Sequence, residues 1–153
     1  MDSIDKRIIE ELQKNASVPI SELSKKIGIT TTPCWNRIKK LEEEKIILSK
    51  TIILDNNKIN LAITVFLSIS IPNHTDKWLE NFKKIVKQHD EITEVHRLTG
   101  SDSDYQITIL ASSIREYDIF QQRLIKEIEC TKMSSHISLN TIKKSNKLSL
   151  KYI

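Results

Sequence analysis

The chain has 153 residues, a formal net charge of +4 and 39% hydrophobic residues. That length suits one ordinary domain or two small ones, with a core that buries roughly two thirds of the unfolded surface. No apolar run approaches the roughly 18 residues of a membrane span, and no signal-peptide pattern opens the chain, so a cytoplasmic protein is expected. The two cysteines, Cys34 and Cys130, fit no metal-ligand spacing and read as buried reduced thiols. Neither a metal nor a cofactor is expected.

Ile4, Ile8 and Leu12, with Ile9 beside them, mark a first helix. Ile20, Leu23 and Ile27 recur at i, i+3, i+7 and mark a second. Gly28, one of only two glycines, follows directly and permits the left-handed conformation a sharp corner requires. Ile29 can plug that corner. Thr30 is placed to cap a third helix through its hydroxyl, and Pro33 falls in the first turn, where its missing N–H costs least. Cys34, Ile38 and Leu41 form the buried stripe of that helix. Thr31, Thr32, Trp35, Asn36, Lys39 and Lys40 remain on its outer face, with Arg37 near the border.

Three helices of this kind, the second and third joined by a glycine turn, make a helix-turn-helix. An ordinary helical hairpin with a solvated charged face is the competing reading. Two details weigh against it. From Lys25 to Lys40 there are five basic residues and no acid. An exposed tryptophan beside an asparagine is also unusual on a surface without a partner. The partner implied is double-stranded DNA. Trp35 and Asn36 would read base edges, Thr31 and Thr32 would bond phosphate or base, and Arg37, Lys39, Lys40, Lys25 and Lys26 would hold phosphates.

After Glu42-Glu43-Glu44, the β-branched run at residues 46–54 reads as a strand or wing. Asp55-Asn56-Asn57-Lys58 is turn chemistry, which places a linker at 55–61. The period then changes. Ile63, Val65, Leu67, Ile69 and Ile71 alternate strictly and mark a half-buried strand. Leu79, Phe82 and Val86 mark a helix at about 76–88. Strands follow at 91–98 and 104–111, the latter with Tyr105, Ile107, Ile109 and Ala111 on one face. A helix at about 114–129 carries Tyr117, Phe120, Leu124 and Ile128, and a last strand carries Met133, Ser135, Ile137 and Leu139. The order βαββαβ is that of a ferredoxin-like sandwich, with one antiparallel sheet and both helices on one side. Its open face would carry Thr64, Phe66, Thr108 and Leu110, a mix better covered by a second copy of the chain than by water. The run 143–151 holds four lysines and no acid, and reads as a solvated end that can touch DNA.

The fold class expected is therefore α+β: a winged helix-turn-helix domain at 1–54, a linker at 55–61, and a ferredoxin-like domain at 62–153. Over essentially its whole length the chain resembles the Lrp/AsnC (feast/famine) regulators. The residues that carry the resemblance are Ile4-Asp5-Lys6-Arg7-Ile8, Ile20-Ser21-Glu22-Leu23-Ser24, Gly28-Ile29, Thr32-Pro33-Cys34 and Arg37-Ile38-Lys39-Lys40-Leu41-Glu42. In the second half they are Thr99-Gly100 followed by Asp104-Tyr105.

The resemblance implies a transcription regulator that dimerises, assembles further (for example to octamers) and binds an amino-acid effector. Leu98, Thr99, Gly100, Asp102, Asp104 and Tyr105 are the effector residues implied, with His136 on the last strand. The chain departs from the family at Lys45 and near Asn60, where glycine is usual, and in a Gly100–Tyr105 turn one residue longer. A ferredoxin-like binding module or small enzyme without a DNA role is the alternative. His74, His89, His96 and His136 lie in no catalytic motif, and no phosphate loop is present.

Overall fold

The structure is a computed structural model and describes every residue except Ser101. It divides into two compact units: Met1–Ile53 together with Ile142–Ile153, and Leu54–Thr141.

In the first unit, α1 (Ser3–Lys14), α2 (Ile20–Ile27) and α3 (Thr31–Glu43) enclose one small core. Each helix contributes one apolar stripe: Ile8 and Ile9 from α1, Leu23 and Ile27 from α2, and Cys34, Ile38 and Leu41 from α3. Ile29 packs against this core at the corner, as its position implies. Thr30 occupies the N-cap of α3 in extended conformation, but its hydroxyl makes no capping bond among the described residues. The Thr30 carbonyl instead accepts the Cys34 N–H at 3.2 Å.

Three left-handed residues close three turns by one bonding pattern. After α2, Gly28 has φ +82°; its N–H bonds the Lys25 carbonyl, and the Ile29 N–H bonds that of Ser24. After α3, Lys45 has φ +59°; its N–H bonds Glu42 and the Ile46 N–H bonds Leu41. In the turn that follows Asp55, Asn60 has φ +60°; its N–H bonds Asn57 and the Leu61 N–H bonds Asn56. This double bond pattern is the Schellman motif, which satisfies carbonyls that a helix end leaves unpaired. Lysine and asparagine therefore follow the same backbone route a glycine would. Asparagine tolerates it, whereas lysine brings its Cβ against the following carbonyl oxygen.

The expected strand at 46–54 is not formed. Ile47 packs on the helical core, but Leu48, Ile52, Ile53 and Leu54 are exposed and irregular. A strand is held by a neighbour's backbone, and this segment has no such neighbour among the described residues. The basic end stays almost wholly exposed, as a solvated end would, but it does not group with the second unit. Residues 142–153 belong to the first unit. The Gln13 side chain bonds the Leu148 backbone in both directions, Nε2 donating to the carbonyl and Oε1 accepting the N–H, and Leu150 packs against the helical core. The lysines of this segment stay exposed.

The second unit is the βαββαβ sandwich. Its elements are β1 (Ile63–Ser70), α4 (Asp76–Gln88), β2 (Ile92–Arg97), β3 (Tyr105–Ala111), α5 (Ile114–Glu127) and β4 (Lys132–Ile137), with strand order β2-β3-β1-β4, all antiparallel. Side-chain hydroxyls cap both helices: Thr75 accepts the Trp78 N–H and Ser113 accepts that of Glu116. Val65, Leu67, Ile69, Ile107 and Ile109 point to the helical side and meet Phe82, Ile85, Tyr117, Phe120 and Leu124. Leu79 and Val86 are only partly buried; Phe82 and Ile85 are the buried residues of α4.

Relief of the left-handed lysine is measurable. Lys45→Gly should stabilise the helical unit by about 1 kcal/mol in urea denaturation. A loss of stability would show that the Lys45 side chain outweighs its backbone cost.

Candidate nucleic-acid interface and effector turn

Burying Cys34, Ile38 and Leu41 fixes the rotation of α3 about its axis, so the outward residues follow from its 3.6-residue period. Thr31, Thr32, Trp35, Asn36, Lys39 and Lys40 are all exposed. Trp35 keeps 49% of its surface open, although a tryptophan buried fully would contribute far more than one left in water. The Lys39 ammonium lies 5.0 Å from the centroid of the Trp35 ring, which fixes both side chains on this face. Among the described residues Lys40 makes a single long ion pair, to Glu44 at 3.7 Å, and this exposed pair yields readily to phosphate. Lys25 is exposed with no ion pair within 4.0 Å among the described residues, and Lys26 is held by Glu22 at 2.8 Å.

Arg37 departs from expectation. Its guanidinium Nη1 lies 2.7 Å from Asp2 Oδ2 and 2.7 Å from Asp5 Oδ1. Those two carboxylates also form the capping box of α1. Asp2 Oδ1 accepts the N–H groups of Ile4 and Asp5, and Asp5 Oδ2 accepts the Asp2 N–H. Each carboxylate thus gives one oxygen to the helix end and the other to Arg37. The arginine clamps α3 to the start of α1, with its side chain still 32% exposed. The Asp5 N–H bond, then the Arg37 side chain, hold the Asp2 carboxyl below the usual carboxylate range. Sequence spacing placed Arg37 at the border of the outer face; the Asp2 and Asp5 pair opening α1 was the available signal for its partner.

The effector residues fall into two groups. The turn between β2 and β3 is closed by the Leu98 N–H bonding the Asp104 carbonyl at 2.8 Å, and the Asp104 N–H bonds Ile69 at 2.8 Å. Gly100 is left-handed at φ +77°. Thr99, Gly100 and Asp102 are exposed, and the Asp102 carbonyl accepts the Ser70 hydroxyl. The extra residue expected in this turn involves Ser101, which lies outside the described residues.

Asp104 is already occupied. Oδ2 accepts the Ile71 N–H at 2.8 Å, and Oδ1 lies 3.1 Å from the His74 ring nitrogen. Its carboxylate ties the end of β1 to the turn, which makes it a scaffold group. The Tyr105 ring is buried on the helical side of the sheet against the stacked pair Trp78 and Phe82, at 5.4 and 5.1 Å between ring centroids. His136 is not brought to the turn within one chain. It pairs opposite Phe66, three residues along from the row of Ile69 and Tyr105, or about 10 Å at strand rise.

No group of three or more metal-ligating side chains is found among the described residues, and no helix is long and apolar enough to cross a membrane.

Residues 1–47 match the family model described as winged helix-turn-helix DNA-binding, and residues 64–148 match the Lrp/AsnC ligand binding domain. The chain belongs to the Lrp/AsnC family. A glutamate uptake regulatory protein of Zymomonas mobilis is 37% identical over 98% of this chain and 91% of its own. The DNA-binding transcriptional activator DecR of Escherichia coli is 30% identical over 97% of both chains. Among solved structures, an AsnC family transcriptional regulator from Agrobacterium tumefaciens superposes with a TM-score of 0.95 at 37% identity, covering 100% of this chain and 99% of that one. A transcriptional regulator of Neisseria meningitidis solved with L-methionine has a TM-score of 0.93 at 25% identity, covering 99% and 98%. This Lrp/AsnC chain therefore carries the helix-turn-helix and the four-stranded α/β unit of its family in full.

The clamp gives a pH test with a definite sign. Because the folded carboxyl of Asp2 titrates below its unfolded counterpart, its stabilisation is fully present above the ordinary carboxylate pKa of about 4 and is lost as pH falls through the lowered folded value. Asp2→Asn keeps a good N-cap but removes the charge. Its unfolding free energy should fall less steeply than wild type as pH drops below about 4. Parallel curves would show that the pair adds nothing.

Proposed function

We propose that this Lrp/AsnC regulator binds double-stranded DNA as a homodimer, or a larger assembly of dimers such as an octamer, in the cytoplasm. Its affinity is set by an amino acid held at the β2–β3 turn. One observation carries the DNA half. The outer face of α3 presents Thr31, Thr32, Trp35, Asn36, Lys39 and Lys40 together, while its inner stripe is fully committed to the core. Such a helix enters a major groove with its exposed side chains toward base edges. Trp35 and Asn36 take the reading role. Lys39, Lys40 and Lys25 take phosphates, Lys26 does so on releasing Glu22, and Arg37 acts by holding α3 on α1.

The effector reading rests on the turn. A free amino acid needs donors for its carboxylate and an acceptor for its ammonium. Backbone N–H groups at Thr99 and Gly100 suit the first and the exposed Asp102 carboxylate suits the second. The bonds of Asp104 to Ile71 and His74 keep the turn in place for that purpose. The homodimer reading rests on the open sheet face, where Phe66, Thr64, Thr108 and Leu110 keep partial exposure without a cover in one chain. A bound effector shifts assembly or DNA affinity only by its differential affinity for the states concerned.

Binding isotherms over a salt series test both halves. Lys39→Ala with Lys40→Ala should weaken binding to all sequences alike and reduce the slope of log K against log salt by about two per bound chain, about four for a dimer. An unchanged slope would remove α3 from the interface. Repeated with each of the twenty amino acids, the wild-type isotherm should move for at least one of them, and that response should vanish in Asp102→Ala. No response to any would contradict the effector half.

A further inference from the structure

The C-terminal segment returns to the helical unit and docks on α1. Gln13 holds the Leu148 backbone through both of its amide atoms, and Leu150 packs against the helical core. Docked in this way, the segment and α1 form the two walls of a cleft of about 520 Å³. Lys6 and Glu10 stand on the α1 wall. Lys143, Lys147 and Lys151 stand on the other, with the hydroxyls of Ser145 and Ser149. Four ammonium groups against one carboxylate leave a net charge of +3 on the walls. None of these four lysines forms an ion pair within 4.0 Å among the described residues; the lysine pairs there belong to Lys14, Lys26, Lys40, Lys50 and Lys83. Glu11, the next acid along α1, is already taken by Lys14.

Like charges gathered on two facing walls repel one another, yet the Gln13 and Leu150 contacts hold them there. A free basic tail would attract any anion through its net charge alone. Two fixed walls do more, because they set several donors around one space before a ligand arrives, and less ordering is left for binding to offset. Each ammonium can donate three hydrogen bonds and each serine hydroxyl one. Ser145 Oγ accepts the Lys147 N–H at 3.2 Å, while its own proton remains to donate. The volume lies in the range of small-molecule sites, about 300–1,000 Å³. No outer residue of α3 lines the cleft, and it shares no residue with the effector turn.

We propose that this cleft binds the oligophosphate group of a small molecule, a short chain of adjoining phosphates, between α1 and the returning C-terminal segment. Lysines act as point charges and suit the spread of oxygens along such a chain, whose charge balances the walls. A single carboxylate would leave most of that charge unbalanced. Bound there, the ligand bridges the two ends of the chain and stabilises the helical unit by mass action. The site stands apart from the reading face of α3 and from the effector turn, so its fate does not depend on theirs.

Calorimetric titration of the full-length protein with inorganic triphosphate, at fixed ionic strength, tests the site. The wild-type chain should bind triphosphate at least about tenfold more tightly than sulfate. Lys6→Gln on one wall and Lys147→Gln on the other should each weaken triphosphate about fivefold. Gln13→Ala keeps every lysine but frees the segment, and should weaken it about threefold or more. Lys39→Ala with Lys40→Ala should leave it unchanged. Binding that is indifferent to both Gln13→Ala and Lys6→Gln would mean attraction to a basic tail, and would overturn the site. So would equal binding of sulfate and triphosphate. If wild type takes up no triphosphate while Lys143→Gln with Lys147→Gln flattens the salt dependence of duplex DNA binding, the segment is a DNA contact and the small-molecule site is refuted.

Discussion

The arrangement depends on one small shared core. Ile8, Leu23, Ile27, Cys34, Ile38 and Leu41 close three helices around a space that none of them could bury alone. Each aliphatic side chain removed from water contributes about 1.5–3 kcal/mol, whereas an exposed ion pair contributes at most about 1. The core therefore decides how α3 is turned, and surface charges do not. A rotation of α3 by one residue would carry Trp35 or Pro33 into the space of Cys34, which is wholly buried. The reading face is what this packing leaves outside.

Around that core, local chemistry sets the angles between elements. Gly28 and Lys45 end successive helices by the same left-handed step, so α2 to α3 and α3 to the connecting segment are equivalent corners built from unequal residues. Arg37 spans from α3 to the first two carboxylates of α1 and converts a helix cap into a tertiary contact. The C-terminal segment adds a further element through Gln13 and Leu150, so the helical unit is completed by residues more than a hundred positions away in the chain.

Much of this was legible because it is periodic. The stripes of α1, α2, α3 and α5 and the alternation of β1 and β3 each name their buried residues directly. Tyr105 alternates with Ile107 and Ile109, and its ring lies on the helical side as that alternation implies. What escaped was non-local. Arg37 finds its partners 32 and 35 positions upstream, Leu148 finds Gln13, and Asp104 finds the end of β1; no spacing rule reports such pairs. The run at 46–54 has strand composition, but composition supplies no neighbour to pair with. The turn at Lys45 was masked because lysine rarely adopts the conformation it takes there.

The central claim is that the core presents Trp35 and Asn36 to base edges. The ratio of specific to non-specific DNA affinity, measured at one salt concentration for Asn36→Ala and Trp35→Ala, tests it directly. Both variants should keep the non-specific affinity and wild-type stability while the ratio falls by about tenfold or more. A ratio unchanged in both would mean that another face of the protein reads the sequence.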